Sequence, residues 1–208
     1  MHGYPDFHLA TYVKEVAKLL RGRIVDVASV VLGYVPLTLY FVELSEGDRI
    51  LSPIPLRSPG HVTGTQRTGT DWLRVTVLDG VLKVNRDIVL DGKGSITYYS
   101  EYYVDGYTGE YYEYIVIEQL RNNSVVNSAE YLIQDYATTS KEPVGRGNSG
   151  VFDIDNWNVL KGDIIRVKLD VKLRNNTDGY TAYYTLYYNP IEEPVIVTLP
   201  LSLSGYEV

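Results

Sequence analysis

Few residues in this chain are placed to do chemistry. His2, His8 and His61 stand apart, without the His-x-His or His-Glu-x-x-His spacing that sets two imidazoles on one metal. There is no cysteine, which excludes disulfides, thiolate zinc sites and cysteine nucleophiles together. No Gly-x-Ser-x-Gly elbow surrounds a serine, and Gly147-Asn148-Ser149-Gly150 reads as loop. The glycines of GHVTGTQRTGT (60–70) lack the Gly-Lys-Ser/Thr ending of a phosphate loop. Asp153-Ile154-Asp155-Asn156 begins like a calcium loop, but Trp157 then takes a ligand position and no glycine follows. Acidic pairs such as Glu110 with Glu113, or Glu192 with Glu193, suit glycoside hydrolysis, yet among 26 acidic residues no pair is singled out. The expectation is a non-enzyme without cofactor or metal.

Tyrosine is the distinctive side chain, with 20 copies against 3 Phe and 2 Trp. It favours strands and combines an apolar body with a polar tip, which suits half-buried faces and contact surfaces. Tyr98, Tyr99, Tyr102, Tyr103, Tyr111, Tyr112 and Tyr114 cluster in two neighbouring segments. One reading has them face both sides of a hairpin and stabilise it across strands. The other has Tyr98, Tyr99, Tyr102, Tyr103, Tyr111 and Tyr112 stack on a glycan or on a neighbouring subunit.

A pentapeptide recurs, Leu120-Arg121-Asn122-Asn123-Ser124 and Leu173-Arg174-Asn175-Asn176-Thr177. Asparagine tolerates positive φ and bonds its own backbone, so both copies are expected to be hairpin turns. Each is also an N-x-Ser/Thr acceptor, making Asn122 and Asn175 candidate N-glycosylation sites. The flanks do not align, which argues against a true repeat.

The elements that carry these residues follow from periodicity. PDFHLATYVKEVAKLLR (5–21) spaces Leu9, Tyr12, Val13, Val16, Leu19 and Leu20 along one face of an amphipathic helix. From Ile24 to Leu44 the chain is most apolar, but Asp26, Pro36 and Glu43 and its β-branched content favour two buried strands over a membrane helix. Residues 57–71 read as a polar glycine-rich loop, and Asp79-Gly80 as a hairpin turn. Asp91-Gly92-Lys93-Gly94 reads as the next turn, and Asp105–Gly109 joins the tyrosine segments. Val167, Leu169, Val171 and Leu173 alternate with Arg166, Lys168, Asp170 and Lys172, as in a half-buried strand. Ten to twelve short strands without alternating helices predict an all-β antiparallel sandwich, in jelly-roll form. The expected organisation is a helical extension over 1–23 and one β domain over 24–208.

Net charge is −7, which argues against general nucleic-acid binding. Residues 1–23 are nonetheless net +2, with Lys14, Lys18, Arg21 and Arg23 against Asp6 and Glu15. The opening MHGYPDFH has neither a basic nor an apolar signal region, so passage by the secretory route is not expected.

In layout, the helix PDFHLATYVKEVAKLLRG ahead of the short strands, with the late segment VLKGDIIRVKLDVKLRNNTDGYTAYYTLYYNP, resembles single jelly-roll capsid proteins of icosahedral viruses, archaeal ones in particular. That resemblance implies a symmetric shell within a virion, with partners that are copies of the chain and other virion proteins. It also implies an inward-facing N-terminal segment whose Leu9, Tyr12, Val13, Val16 and Leu20 make assembly contacts. A net +2 is low for a genome-binding arm, and membrane contact through the same segment is the weaker alternative. From another class, a carbohydrate-binding β-sandwich that stacks sugars on tyrosine also fits the composition.

Overall fold

The computed structural model describes residues 34–45, 48–53, 61–188 and 194–202. The expected helix over 1–23, with its proposed contacts Leu9, Tyr12, Val13, Val16 and Leu20, lies outside them. The described chain is all β and consists of β1 (Tyr34–Ser45), β2 (Asp48–Ser52), β3 (His61–Thr68), β4 (Leu73–Lys83), β5 (Ile88–Val104), β6 (Gly109–Arg121), β7 (Ser124–Thr138), β8 (Val144–Val159), β9 (Ile164–Asn175), β10 (Thr181–Tyr188) and β11 (Ile196–Ser202).

The period-2 signal in β9 is realised as expected: Ile165, Val167, Leu169, Val171 and Leu173 are fully buried, while the charged residues between them face outward. Neighbours run in the order β3-β10-β5-β11-β1-β2-β4-β9-β6-β7, and β8 lies along the other side of β5. All pairings are antiparallel except one parallel bridge between β2 and β4, at Ile50 and Val81. β5 is long enough to pair first with β11 (89–97) and then with β10 (99–104). The sheet folds over on itself. β5 and β6 are not neighbours in it, yet the Tyr98 hydroxyl on β5 reaches Glu113 on β6. Between these layers sit Ile96, Ile115, Ile117, Leu169 and Leu186, all fully buried, each worth about 1.5–3 kcal/mol on leaving water.

Several expected turns are strand instead, for a shared reason: a long neighbour offers continuous backbone pairing. Asp79-Gly80 continues β4, because β9 pairs with it from Leu73 to Lys83. Gly80 is there for proximity, since a Cβ would lie 2.7 Å from the Phe41 ring. Asp91–Gly94 lies inside β5, where a bulge falls between Leu90 and Gly92 and Gly92 takes φ +102°. The supposed loop over 57–71 contains β3, an edge strand paired with β10. Gly147–Gly150 belongs to β8, paired with β5.

The two asparagine motifs part company. Asn122 and Asn123 have φ 51° and 63°, and Arg121 faces Ser124, so the first is a two-residue hairpin between β6 and β7. After the second copy the chain crosses from β9 to β10, which are not sheet neighbours, so no hairpin forms. Asp105–Thr108 likewise arches between β5 and β6, and the expected tyrosine hairpin is absent.

Gly94 has the tightest surroundings of the strand glycines over the core: a Cβ would sit 2.2 Å from the Phe152 ring and 2.6 Å from the Thr198 carbonyl. Gly94→Ala is expected to cost about 1–3 kcal/mol in urea denaturation. Gly147→Ala, with nothing within 4 Å, is the control and should stay close to wild type.

Candidate functional site

The most unusual chemistry lies inside the fold. Glu113 faces inward from β6 and is fully buried. Its carboxylate accepts hydrogen bonds from the Tyr98 hydroxyl (2.8 Å), the Ser100 hydroxyl (3.0 Å) and the Tyr184 hydroxyl (2.6 Å). Asn148 Nδ2 on β8 donates in turn to Ser100 Oγ at 2.7 Å. Burial pushes the Glu113 carboxyl above its ordinary range, and the three hydroxyl donors oppose that only in part. The same burial, with the Glu113 charge, raises the phenols of Tyr98 and Tyr184. Tyr111 and Tyr136 stack at 5.1 Å beside this network, and the Tyr111 hydroxyl donates to the Tyr103 carbonyl.

A second carboxylate closes the far end of β6 and β9. Asp163 accepts from Arg121, from Gln119 (2.7 Å) and from the backbone N–H of Leu160. The Arg121 guanidinium holds it well below the usual carboxylate range. Every part of this cluster is engaged in joining the 158–163 turn to the β6 end, which is a structural task.

The outward faces differ in kind. On β4, β9, β6 and β7, opposite charges interlock: Arg74 bridges Glu130 (2.7 Å) and Asp170 (2.9 Å), Lys168 meets Glu118 (2.7 Å), and Arg174 meets Glu110 (2.8 Å). Arg166 pairs with Asp79. Lys172 and Arg174 lie over the Trp72 ring at 4.8 and 4.4 Å, and Tyr112 packs beside it at 5.0 Å.

On β5 and β10 the outward residues are Tyr99, Glu101 and Tyr103 facing Tyr187, Thr185 and Tyr183. Tyr103 and Tyr183 stack at 4.5 Å and 5°, and Tyr99 meets Tyr187 at 5.9 Å. The Tyr187 hydroxyl donates to Glu101 at 2.8 Å. Glycines flank this patch: Gly147 and Gly145 on β8 stand opposite Tyr99 and Glu101, and Gly64 on β3 stands opposite Thr185. A Cβ at Gly145 would fall 1.8 Å from the Tyr99 hydroxyl oxygen, so the phenol lies across that bare backbone.

The six tyrosines singled out from the sequence therefore divide by strand parity. Tyr98, Tyr102 and Tyr111 are buried, 3% exposed at most, where no glycan or subunit can stack on them, so they leave the candidate surface. Tyr99 and Tyr103 remain on it, while Tyr112 belongs to the ion-paired face. Tyr183 and Tyr187 join Tyr99 and Tyr103, since the alternation in TAYYTLYY (181–188) places both on one face. Asn175 is buried as well. Its Nδ2 donates to the Gly106 carbonyl and its Oδ1 accepts from the Thr177 N–H, so the folded chain withholds it from glycosylation. Asn122 is exposed at its hairpin tip. Among the described residues no group of three or more His, Asp or Glu is placed to hold a metal, and no helix is long and apolar enough to cross a membrane.

No family model and no curated protein sequence matches the chain. Among solved structures, a CocE/NonD family hydrolase from Staphylococcus aureus is similar with a TM-score of 0.48 and 12% identity, over 81% of this chain and 37% of that one. The T13 viral particle of infectious bursal disease virus gives 0.35 and 9%, over 78% and 39%. That virus's VP2 subviral particle gives 0.32 and 10%, over 83% and 43%. The chain thus spans about two fifths of each neighbour's length. Viral capsid proteins and a hydrolase-family chain stand side by side here, and likenesses this distant transfer neither activity nor assembly.

Two outcomes follow from the buried and exposed groups. Because Glu113 keeps its proton in the folded state at pH values where the unfolded chain has lost it, stability should decline as pH rises above about 4.5 and level off beyond the folded pKa. Urea titrations across pH should show that slope in the wild type and lose it in Glu113→Gln. Expression in a glycosylating host should modify Asn122 and leave Asn175 bare, as peptide mass spectrometry would read.

Proposed function

We propose that this protein is a non-enzymatic structural subunit of a virion shell, a jelly-roll-type β-sandwich that self-assembles. The observation that carries the reading is the tyrosine face of β5 and β10. Protein contact surfaces are rich in tyrosine and poor in charge at their centres. Here four tyrosines surround a single charged residue, Glu101, and Gly147 beside Tyr99 leaves room for an approaching surface. The other broad face has already spent its charges on itself, through the Arg74, Arg166, Lys168 and Arg174 pairs. Repeated in a symmetric array, the tyrosine patch supplies a polar-aromatic seam, to which the segment 1–23, expected from its sequence pattern to be helical, would add contacts between neighbours.

The geometry of Tyr99 favours a second reading. A ring laid over glycine beside a carboxylate is the chemistry of a sugar subsite, with stacking on the ring and hydroxyl donation to Glu101. A monomer that retains glycans on an array, and loses them in Tyr99→Ala, would favour that reading over a shell.

Light scattering and electron microscopy of the full-length protein over a concentration range test the shell. Discrete capsomers or shells are expected. Tyr103→Ser with Tyr183→Ser should weaken association about 10-fold or more while leaving the β spectrum in circular dichroism unchanged. A monomer at every concentration would count against it.

A further inference from the structure

Among the described strands, β8 is hydrogen-bonded in the sheet to β5 alone, and without cysteine the chain has no disulfide to secure it. Along that seam three buried side chains converge: Ser100 on β5, Asn148 on β8 and Glu113 on β6, at 0%, 3% and 0% exposure. Ser100 Oγ donates to Glu113 Oε1 at 3.0 Å and accepts from Asn148 Nδ2 at 2.7 Å. Asn148 Oδ1 is buried without a partner. A network built only for stability would satisfy that oxygen, since an unpaired buried acceptor is costly.

We propose that Ser100 and Asn148 react with each other to form an ester between β5 and β8, with Glu113 as proton carrier and ammonia as the only product released. A hydroxyl, a carboxylate base within hydrogen-bond reach and a carbonyl electrophile are the parts that acyl transfer requires. At pH above the folded pKa of Glu113, where it is a carboxylate, the Ser100 proton passes to its Oε1 as Oγ bonds to Asn148 Cγ, and the carbonyl electron pair moves onto Oδ1. When that pair returns, the Cγ–Nδ2 bond breaks. Glu113 gives its proton to the departing nitrogen and is again a carboxylate. Atoms and charges balance without oxidant, water or cofactor.

The surroundings suit each step. Cγ lies one covalent bond beyond Nδ2, and the terminal carboxamide torsion is broad, so a turn about Cβ–Cγ swings Nδ2 aside and presents the face of the carbon to the hydroxyl. No hydrogen bond on Oδ1 resists that turn. Tyr98 and Tyr184 hold the carboxylate in place. The hydroxyls of Tyr102 and Tyr136 are also buried without partners. Burial keeps out the water that would hydrolyse the ester.

The test is the intact mass of the purified full-length protein after incubation of the folded chain at raised temperature and then unfolding. The expected mass is lower than that of the sequence by one ammonia, and Ser100→Ala and Glu113→Gln should lack that loss. Trypsin should yield Gly94–Arg121 joined to Gly147–Lys161, and hydroxylamine should part them. If either variant fails to fold, the wild-type mass and the joined peptide decide alone. Wild type at its sequence mass, or with the small gain of Asn148 deamidation, overturns the ester. A cross-link that persists in Glu113→Gln overturns the role given to the carboxylate.

Discussion

A carboxylate in the middle of a β fold has to be paired with donors before the two layers can close, and the burial of Glu113 organises much of this structure. Its partners come from β5 (Tyr98 and Ser100) and β10 (Tyr184), while Glu113 itself rides on β6 in the facing layer. Leaving any of those lone pairs empty in a low-dielectric interior would cost more than an ordinary hydrogen bond returns. The three hydroxyls therefore tie the register of β5 and β10 to that of β6 across a gap that backbone hydrogen bonds do not span. A slip of one residue in β6 would send Glu113 outward and bring Tyr112 or Tyr114 into its place. The ladder itself allows for the site, with a β6–β7 register shift between Glu113 and Tyr114.

The same alternation decides what the outside offers. Each inward tyrosine, Tyr98 or Tyr102, sets an outward one beside it, Tyr99 or Tyr103. Across the ladder β10 repeats this, with Tyr184 turned inward to the carboxylate and Tyr183 and Tyr187 outward. The contact face on β5 and β10 thus follows from the polar core beneath it. On β4, β6 and β9 the inward residues are mainly aliphatic, and the outward ones are charges in complementary cross-strand pairs. Such pairs add little stability each at a surface, but they penalise wrong registers and leave few charges for a partner.

Much of the architecture was legible in the sequence because it depends on short-range pattern. The β9 alternation survives intact, the Asn122-Asn123 pair makes its hairpin through two positive-φ positions, and the strand-rich reading holds over the described chain. Asp79-Gly80, Asp91–Gly94 and Gly147–Gly150 show where local reasoning stops. Each carries glycine, and the two Asp-Gly stretches carry turn signals as well, but a turn preference is a small local term. A partner strand that supplies unbroken hydrogen bonds outweighs it, and the glycines then serve close packing and a bulge.

By itself the sequence determined the absence of cysteine chemistry, the strand-rich class and the wealth of tyrosine. Only the tertiary structure decided which tyrosines are core and which are surface. A run such as YYSEYY reads equally well in either parity, and the choice depends on where a carboxylate far along the chain must find its donors. It also separated two near-identical pentapeptides into an open hairpin at Asn122 and a buried bracket at Asn175. The reason is physical: pairing between distant strands is set by the burial of both faces at once, and no window of sequence contains both partners.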